Sequence, residues 1–302
     1  MNLLNILIIK PLIFFLLFIY IINSFINKNL KKIKVCLCSI GKKENLYVKE
    51  FINHYKNLGY NHIFIYDNND IKSERFSDVL VSEIKSGFVS IINYIGFRGK
   101  YNNSQIEAYY DCYRRNSRNY NWLSFYDFDE YLEFKQKNLT IQEFLNDKKY
   151  KKCANVKINW IRYQSEEEAL YYENKLLQIR FKKPLLNHIS NKHIKSTVRG
   201  RLTKNYWSNS RNPHSSLVNY KSCSSSGKIV DSKTPFVEPP DYECAFIKHF
   251  YTKSFEEFCL KLKRGWPDIT DNIILIKNLI NENKNNNEKL KIIKKIFNFT
   301  IP

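Results

Sequence analysis

The sequence predicts an α/β domain with a mostly parallel sheet flanked by helices. Three observations carry that expectation. First, a strand, an amphipathic helix and a second strand follow one another from Val35 to Tyr66, the pattern of a βαβ unit with a right-handed crossover. Second, the run Trp122-Leu123-Ser124-Phe125-Tyr126 has the length and composition of a buried strand. Third, that run stops abruptly in Asp127-Phe128-Asp129-Glu130. In an open α/β sheet the ligand lies beyond the carboxyl ends of central strands. Three carboxylates between aromatic residues are costly to desolvate unless something positive sits there. Asp-x-Asp at such a place suits a hard divalent cation, Mg²⁺ or Mn²⁺, which prefers oxygen ligands and can bridge a diphosphate. The plainer alternative is a solvated acidic turn.

Taken in order, the chain opens with an apolar stretch, residues 3–27, broken by Asn5, Lys10 and Asn23. Its core, Pro11 to Ile26, reaches spanning length once extended across Lys10, which can snorkel. No small-residue cleavage site follows, so the stretch reads as an uncleaved N-terminal membrane-anchor helix rather than a signal peptide. Lys28, Lys31, Lys32 and Lys34 come after it, and this charge bias places the remainder of a single-pass protein on the cytosolic side. Val35 to Ile40 reads as the first strand. Leu46 to Leu58 has helical apolar spacing, with Gly59 as its C-cap. His62 to Tyr66 is the second strand and Phe88 to Ile95 the third. Asn103 to Asn116 is a helix, and the Asp-Phe-Asp strand follows. Thr140, with Glu143 three residues on, forms a capping box that starts a short helix. Beyond it, Ala154 to Tyr163, Leu177 to Phe181, His193 to Val198 and Cys244 to Phe250 read as strands, and Tyr206 to Pro240 as loop. Ser254 caps a helix over Phe255 to Arg264, and 270–297 form two amphipathic pieces. The expected division is 1–33 anchor and basic flank, 34–266 a single large domain, and 267–302 a helical tail.

The 302 residues are 43% hydrophobic and carry a formal net charge of +20. That balance suits anionic lipid head groups or a polyanionic small substrate such as a sugar nucleotide. It also fits a chain generally rich in Lys, Asn and Ile. No zinc finger, Arg-rich recognition helix or RNA-binding motif is present, so nucleic acid is not the expected partner. Seven cysteines at scattered positions, without a C-x-x-C pair, predict a mostly reduced protein or one with one or two disulfides.

Several stretches together resemble the family 2-like and family 92-like glycosyltransferases. They are Lys42-Lys43-Glu44-Asn45, His54-Tyr55 and Ile65-Tyr66-Asp67-Asn68-Asn69 near the start. Gln105-x-x-Ala108-Tyr109-x-Asp111-Cys112 leads into Trp122-Leu123 and Asp127-Phe128-Asp129-Glu130-Tyr131-Leu132. Lys195-Ser196, Pro213-His214 and His249-Phe250-Tyr251-Thr252-Lys253-Ser254 follow. The resemblance covers roughly residues 34 to 266. It implies a GT-A fold, a Rossmann-like sheet that binds a nucleotide-sugar with metal at the D-x-D, and an inverting transfer. Two departures stand out. Lys43 occupies the place of the family's usual Asn, and Tyr163-Gln164-Ser165 replaces a glycine-bearing turn that helps shape the acceptor site.

On this reading the protein moves a sugar from a nucleotide-diphosphate sugar, a UDP-sugar first, to a glycan or glycoconjugate. Asp129 ligates Mn²⁺ or Mg²⁺, and Asp127 contacts ribose or a metal-bound water. Asp67 and Glu44 hold the nucleotide, and the resemblance implies His249 as a further metal ligand. Lys195 and Arg199 are placed to neutralise the diphosphate, with Lys253, Arg264, Glu130 and His214 as weaker candidates. Each also has an ordinary alternative: an Asp-Asn turn for Asp67, a helix N-terminal carboxylate for Glu44, a turn cap for Glu130, packed imidazoles for His214 and His249, and solvated cations for the rest. A general base is required, and Glu166, Glu167, Glu168, Asp231, Glu238 and Asp241 are equally eligible. The competing functions are a metal-dependent nucleotidyltransferase using the same motif and a catalytically inactive, membrane-tethered glycan-binding scaffold.

Overall fold

The computed structural model describes residues 33–95, 104–202, 214, 220–264 and 272–298. The chain divides into Met1–Ile33 and Lys34–Pro302. The expected membrane anchor falls in the first unit and lies outside the described residues. Among the described residues no helix is long and apolar enough to cross a membrane.

The second unit is a mixed α/β sheet with helices packed on it. Strand β1 (Val35–Gly41) lies parallel between β2 (His62–Asp67) and β4 (Trp122–Phe125), and β3 (Val89–Asn93) continues the parallel order beyond β2. Val35 to Cys38 are wholly buried, as a central parallel strand covered on both faces requires. The chain winds outward through β1, β2 and β3, then returns to the other side of β1 as β4. A topological switch point therefore lies between β1 and β4.

Beyond β4 the pairing becomes mostly antiparallel. β8 (Ile194–Arg199) runs between β4 and the first half of β6 (Asn155–Gln164), and β9 (Ser222–Cys223) and β10 (Ile229–Val230) extend that edge. The second half of β6 leaves for a smaller layer, where it pairs with β7 (Lys183–Leu185) and β11 (Ala245–His249). β11 also pairs with β5 (Glu130–Phe134), which directly follows the Asp-Phe-Asp turn.

Helix α1 (Asn45–Asn57) buries Tyr47, Val48, Phe51, Ile52 and Tyr55, and its rings meet Phe128 and Tyr131. Two short helices, α2 (Phe76–Val79) and α3 (Val81–Lys85), link β2 to β3. Helix α4 (Ser104–Asn116) buries Ala108, Tyr109, Cys112 and Tyr113 against Cys36, Cys38, Leu123 and Phe125. Helix α5 (Ile141–Asn146) starts at the expected capping box of Thr140 and Glu143. Helix α7 (Phe255–Lys263) shares a second cluster with α8 (Asn272–Glu282) and α9 (Asn287–Phe297), centred on Cys259, Leu262, Leu279, Ile292, Ile293 and Ile296.

Two expectations need correction. Leu177 to Phe181 is not a strand: Leu177–Arg180 forms helix α6. The amides of Leu177 and Gln178 donate to the Glu50 carboxylate from α1, which caps this turn in a way no local pattern reveals. The segment read as loop from Tyr206 to Pro240 contains β9 and β10 where it is described, and Cys223 of β9 forms a disulfide with Cys153.

Candidate active site

The carboxyl ends of β1, β2 and β4 converge, and the acidic residues singled out in the sequence stand there. Gly41, the last residue of β1, pairs in register with Asp67, the last of β2. A Cβ at Gly41 would run into the Phe128 ring, so glycine is required for the Asp-Phe-Asp turn to pass close by. Phe128 is buried against Phe51 (ring centroids 4.9 Å) and Phe76 (5.1 Å), which fixes the turn between its two aspartates. Asp67 is buried, and its Oδ1 accepts from the Asn69 amide (3.0 Å) and side chain (2.8 Å). The Asp-Asn turn is therefore real, and it stiffens Asp67 at the crevice.

Asp127 is held by residues from two elements. Its Oδ2 accepts from Lys195 Nζ of β8 at 2.8 Å. Its Oδ1 accepts from Gln105 Nε2 at 2.6 Å and Tyr109 OH at 3.0 Å, both from α4. Its own amide donates to Glu130 Oε2 at 2.8 Å. Lys195 also lies 3.3 Å from Glu130 Oε2, and both of these side chains are wholly buried. Burial alone would lower the lysine, but Asp127 and Glu130 outweigh it and raise its pKa. Burial pushes the Glu130 carboxyl well up; Lys195 opposes this, while Asp127 and Asp129 add to it. Among the described residues Glu130 Oε1 has no hydrogen-bond partner, while Oε2, accepting from the Asp127 amide, braces the turn from behind.

Asp129 faces a different set of groups. Its Oδ2 accepts from Lys261 Nζ at 2.8 Å, and its Oδ1 lies 3.6 Å from His249 Nε2 at the end of β11. Burial would raise its carboxyl, but Lys261, His249 and Lys253 hold it well below the ordinary range. Burial lowers His249 to about 3, so the imidazole is neutral, and among the described residues its Nδ1 has no hydrogen-bond partner. Glu44 is the buried N-cap residue of α1 and is paired with Arg264 and with Lys253 Nζ at 3.5 Å. The Lys253 ammonium also lies 3.7 Å from the centre of the Tyr47 ring.

Other candidates lie elsewhere. Arg199 is four residues along β8 from Lys195, and because β8 is antiparallel to β4 it pairs with Trp122 at the opposite end of the strand. There its guanidinium stacks on Trp122 and donates to the Cys153 and Tyr150 carbonyls, so it cannot serve the diphosphate. His214 packs edge-on against Trp160, 5.3 Å between ring centres. Trp160 also contacts His249 at 4.3 Å and stacks on His193 at 5.0 Å, and among the described residues its indole N–H has no hydrogen-bond partner. None of the six base candidates is hydrogen-bonded to this network among the described residues. Asp241 accepts from the Ser226 and Glu243 amides and Asp231 from the Lys233 amide, while Glu238 faces Lys192 and Glu168 faces Lys289. Sequence reading missed Gln105, Tyr109 and Lys261 as members of the site. The first two stand in the Gln105-x-x-Ala108-Tyr109 stretch, where helical spacing was a usable signal. Lys261 sits 132 residues from its partner, and nothing local marks it.

No group of three or more His, Cys, Asp or Glu side chains arranged to hold a metal occurs among the described residues. The Asp129–His249 pair nevertheless fits as part of a ligand set. Two ligands of one ion, each about 2.0–2.2 Å from it, stand roughly 3–4 Å apart, as Oδ1 and Nε2 do. One is ionised and the other is neutral with an unshared pair available.

Residues 31–238 match the model of glycosyltransferase family 92. No curated protein matches the chain. Among solved structures, TarS of S. aureus is similar in three forms. Its UDP complex is 8% identical, with a TM-score of 0.35, over 55% of this chain and 46% of that one. The structure of TarS residues 1–349 is 10% identical, with a TM-score of 0.38, over 88% and 71%. The UDP-GlcNAc complex is 12% identical, with a TM-score of 0.37, over 88% and 72%. The chain thus spans less than half of the first of these and about seven-tenths of the other two.

Proposed function

Since the chain belongs to glycosyltransferase family 92, we propose that this glycosyltransferase uses a nucleotide-diphosphate sugar, a UDP-sugar first, and passes the sugar to a glycan or glycoconjugate with inversion. The observation that carries this reading is the convergence of Asp67, Asp127 and Asp129 with Glu44 at the switch point, ringed by the buried Lys195 and Lys253 and the half-buried Lys261.

In this reading Asp67 and the partly exposed edge of Asp127 accept hydrogen bonds from the nucleoside. Asp127 is the sequence-expected metal ligand that fits least, because three donors already hold its two oxygens. Asp129 and His249 are the residues that would hold Mn²⁺ or Mg²⁺, which when bound supplies Lewis-acid stabilisation of the departing diphosphate. Lys261, Lys253 and Arg264 surround the same point with positive charge that offsets the negative charge of the leaving group. Burial holds the His249 imidazole neutral, the form that can ligate a cation.

The N-terminal stretch is proposed as a single-pass membrane tether. The flanking lysines favour a cytosolic domain, whereas the Cys153–Cys223 disulfide favours an oxidising compartment. The disulfide lies within the folded domain itself, and on this reading the domain faces an oxidising compartment.

A donor screen tests the function. Hydrolysis of UDP-, GDP- and CMP-sugars is followed with Mn²⁺ or EDTA, beside Asp129→Ala. Slow release of UDP from one UDP-sugar, lost with EDTA and in the variant, is expected. Neither turnover nor metal-dependent nucleotide binding would sink the assignment.

A further inference from the structure

Each aspartate of the Asp-Phe-Asp turn meets one lysine, and the two lysines differ in kind. Lys195 is wholly buried between Asp127 and Glu130. It stands on β8, which is paired on both sides, so its backbone is fixed, and its fully buried ammonium is held between two carboxylates. Gln105 and Tyr109 close the other oxygen of Asp127.

Lys261 comes instead from helix α7, and its side chain is 18% exposed. Its ammonium donates to Asp129 Oδ2 at 2.8 Å and to the Tyr251 carbonyl at 3.2 Å, and stands 4.5 Å from the centre of the Tyr251 ring. A flexible four-carbon stem lets such an ammonium move by ångströms while its helix stays in place. Lys253 and Arg264, close by, are already paired with Glu44. A divalent cation on Asp129 would displace Lys261 by like-charge repulsion, leaving three cations around one remaining carboxylate. That imbalance is what a diphosphate would correct.

We propose that Lys261 is the exchangeable counter-ion of Asp129. It neutralises the carboxylate while no divalent cation is bound, gives way to the cation, and then faces the diphosphate. Lys195 stays on Asp127 throughout. The inference rests on Asp129 being a metal ligand, as read under the proposed function.

The test uses the full-length chain as wild type, Lys261→Met, Lys261→Arg, Lys195→Met and Asp129→Asn. Mn²⁺ uptake is followed by loss of the free-ion electron paramagnetic resonance signal, and UDP binding by calorimetry at saturating Mn²⁺. Removing a competing ammonium tightens the cation and weakens the diphosphate, so Lys261→Met is expected to bind Mn²⁺ about tenfold more tightly and UDP about tenfold more weakly. Lys261→Arg stays near wild type in both, Lys195→Met does not tighten Mn²⁺, and Asp129→Asn loses it. A packing defect in α7 would weaken both ligands together, and that result overturns the proposal. So does an unchanged Mn²⁺ affinity in Lys261→Met while wild type binds the ion at Asp129. A wild type that takes up no Mn²⁺ overturns the metal reading and the exchange with it.

Discussion

At φ +55°, Lys43 holds a left-handed backbone conformation that costs a residue with a β-carbon about 1 kcal/mol or more, and that asparagine tolerates better. Its amide is fixed by Asn69 Oδ1 at 2.8 Å, so the turn cannot relax. Lys43→Asn, which restores the residue usual in the family, should raise stability by roughly 0.5–1 kcal/mol. A urea midpoint equal to or below wild type would refute this. Lys157 presents the opposite case, a buried cation whose ammonium donates, among the described residues, to the backbone carbonyls of Asp231 (2.6 Å) and Thr234 (2.7 Å). Burial lowers it to about 8, below the ordinary lysine value of 10.5. Between those two values the unfolded chain holds a proton that the folded chain has lost, so stability rises with pH there and is lost as pH falls through 8. Relative to Lys157→Met, wild-type stability should climb across that window by at most about 1.4 kcal/mol per pH unit. Parallel curves for the two proteins would refute the assignment. At this scale the acidic residues were legible because carboxylates at strand ends break an apolar run. The cations were legible only in part: Lys195, Lys253 and Arg264 stood among the sequence candidates, whereas lysine is everywhere in the sequence and only the fold selects Lys261 and shows which carboxylate each cation meets.

Among the elements, helix α6 is four residues long and cannot persist on its own propensity. It is tied at both ends: the Glu50 carboxylate takes its first amides, and Arg180 makes a bidentate pair with Glu257, 2.7 Å at each nitrogen. Glu257 also accepts from Tyr47 OH at 2.6 Å and closes the capping box of α7 with Ser254. One buried carboxylate thus joins α1, α6 and α7. Removing its cation leaves an uncompensated buried charge, so Arg180→Met should cost about 3–5 kcal/mol. A loss below about 1 kcal/mol in chemical denaturation would show the pair to be dispensable. Arg180→Lys should recover only part, since a point charge cannot reproduce the fork. The longer elements were legible because their apolar periodicity is local: β1, β2, β3, β4, α1, α4 and α7 fall close to where the spacing puts them. α6 was not, because Leu177, Ile179 and Phe181 alternate as in a strand while the force that coils them comes from Glu50, 127 residues away.

For the molecule as a whole, the Cys153–Cys223 bridge spans 70 residues and ties β9 to the segment that leads into β6. Opening it with a Cys153→Ala/Cys223→Ala pair should lower stability by roughly 4 kcal/mol on loop entropy. Denaturation of that double variant beside reduced wild type checks this, and equal stability for oxidised wild type and variant would refute it. The bridge was not legible, because seven cysteines without a spacing motif do not select a pair. Sheet order was legible only in its parallel part, where short βαβ crossovers constrain it; the antiparallel part depends on long-range pairing. One consequence concerns where the working protein ends. The family match stops at residue 238, yet His249, Lys253, Lys261 and Arg264 all lie beyond it, and the helix bearing Lys261 packs its other side on α8 and α9. A polypeptide trimmed to the matched stretch would keep Asp67, Asp127, Asp129 and Glu44, and Lys195 with them, but lose His249 and the cations that answer Asp129 and Glu44. On the proposed reading, such a fragment would be easy to identify and would lack half of its metal-ligand pair.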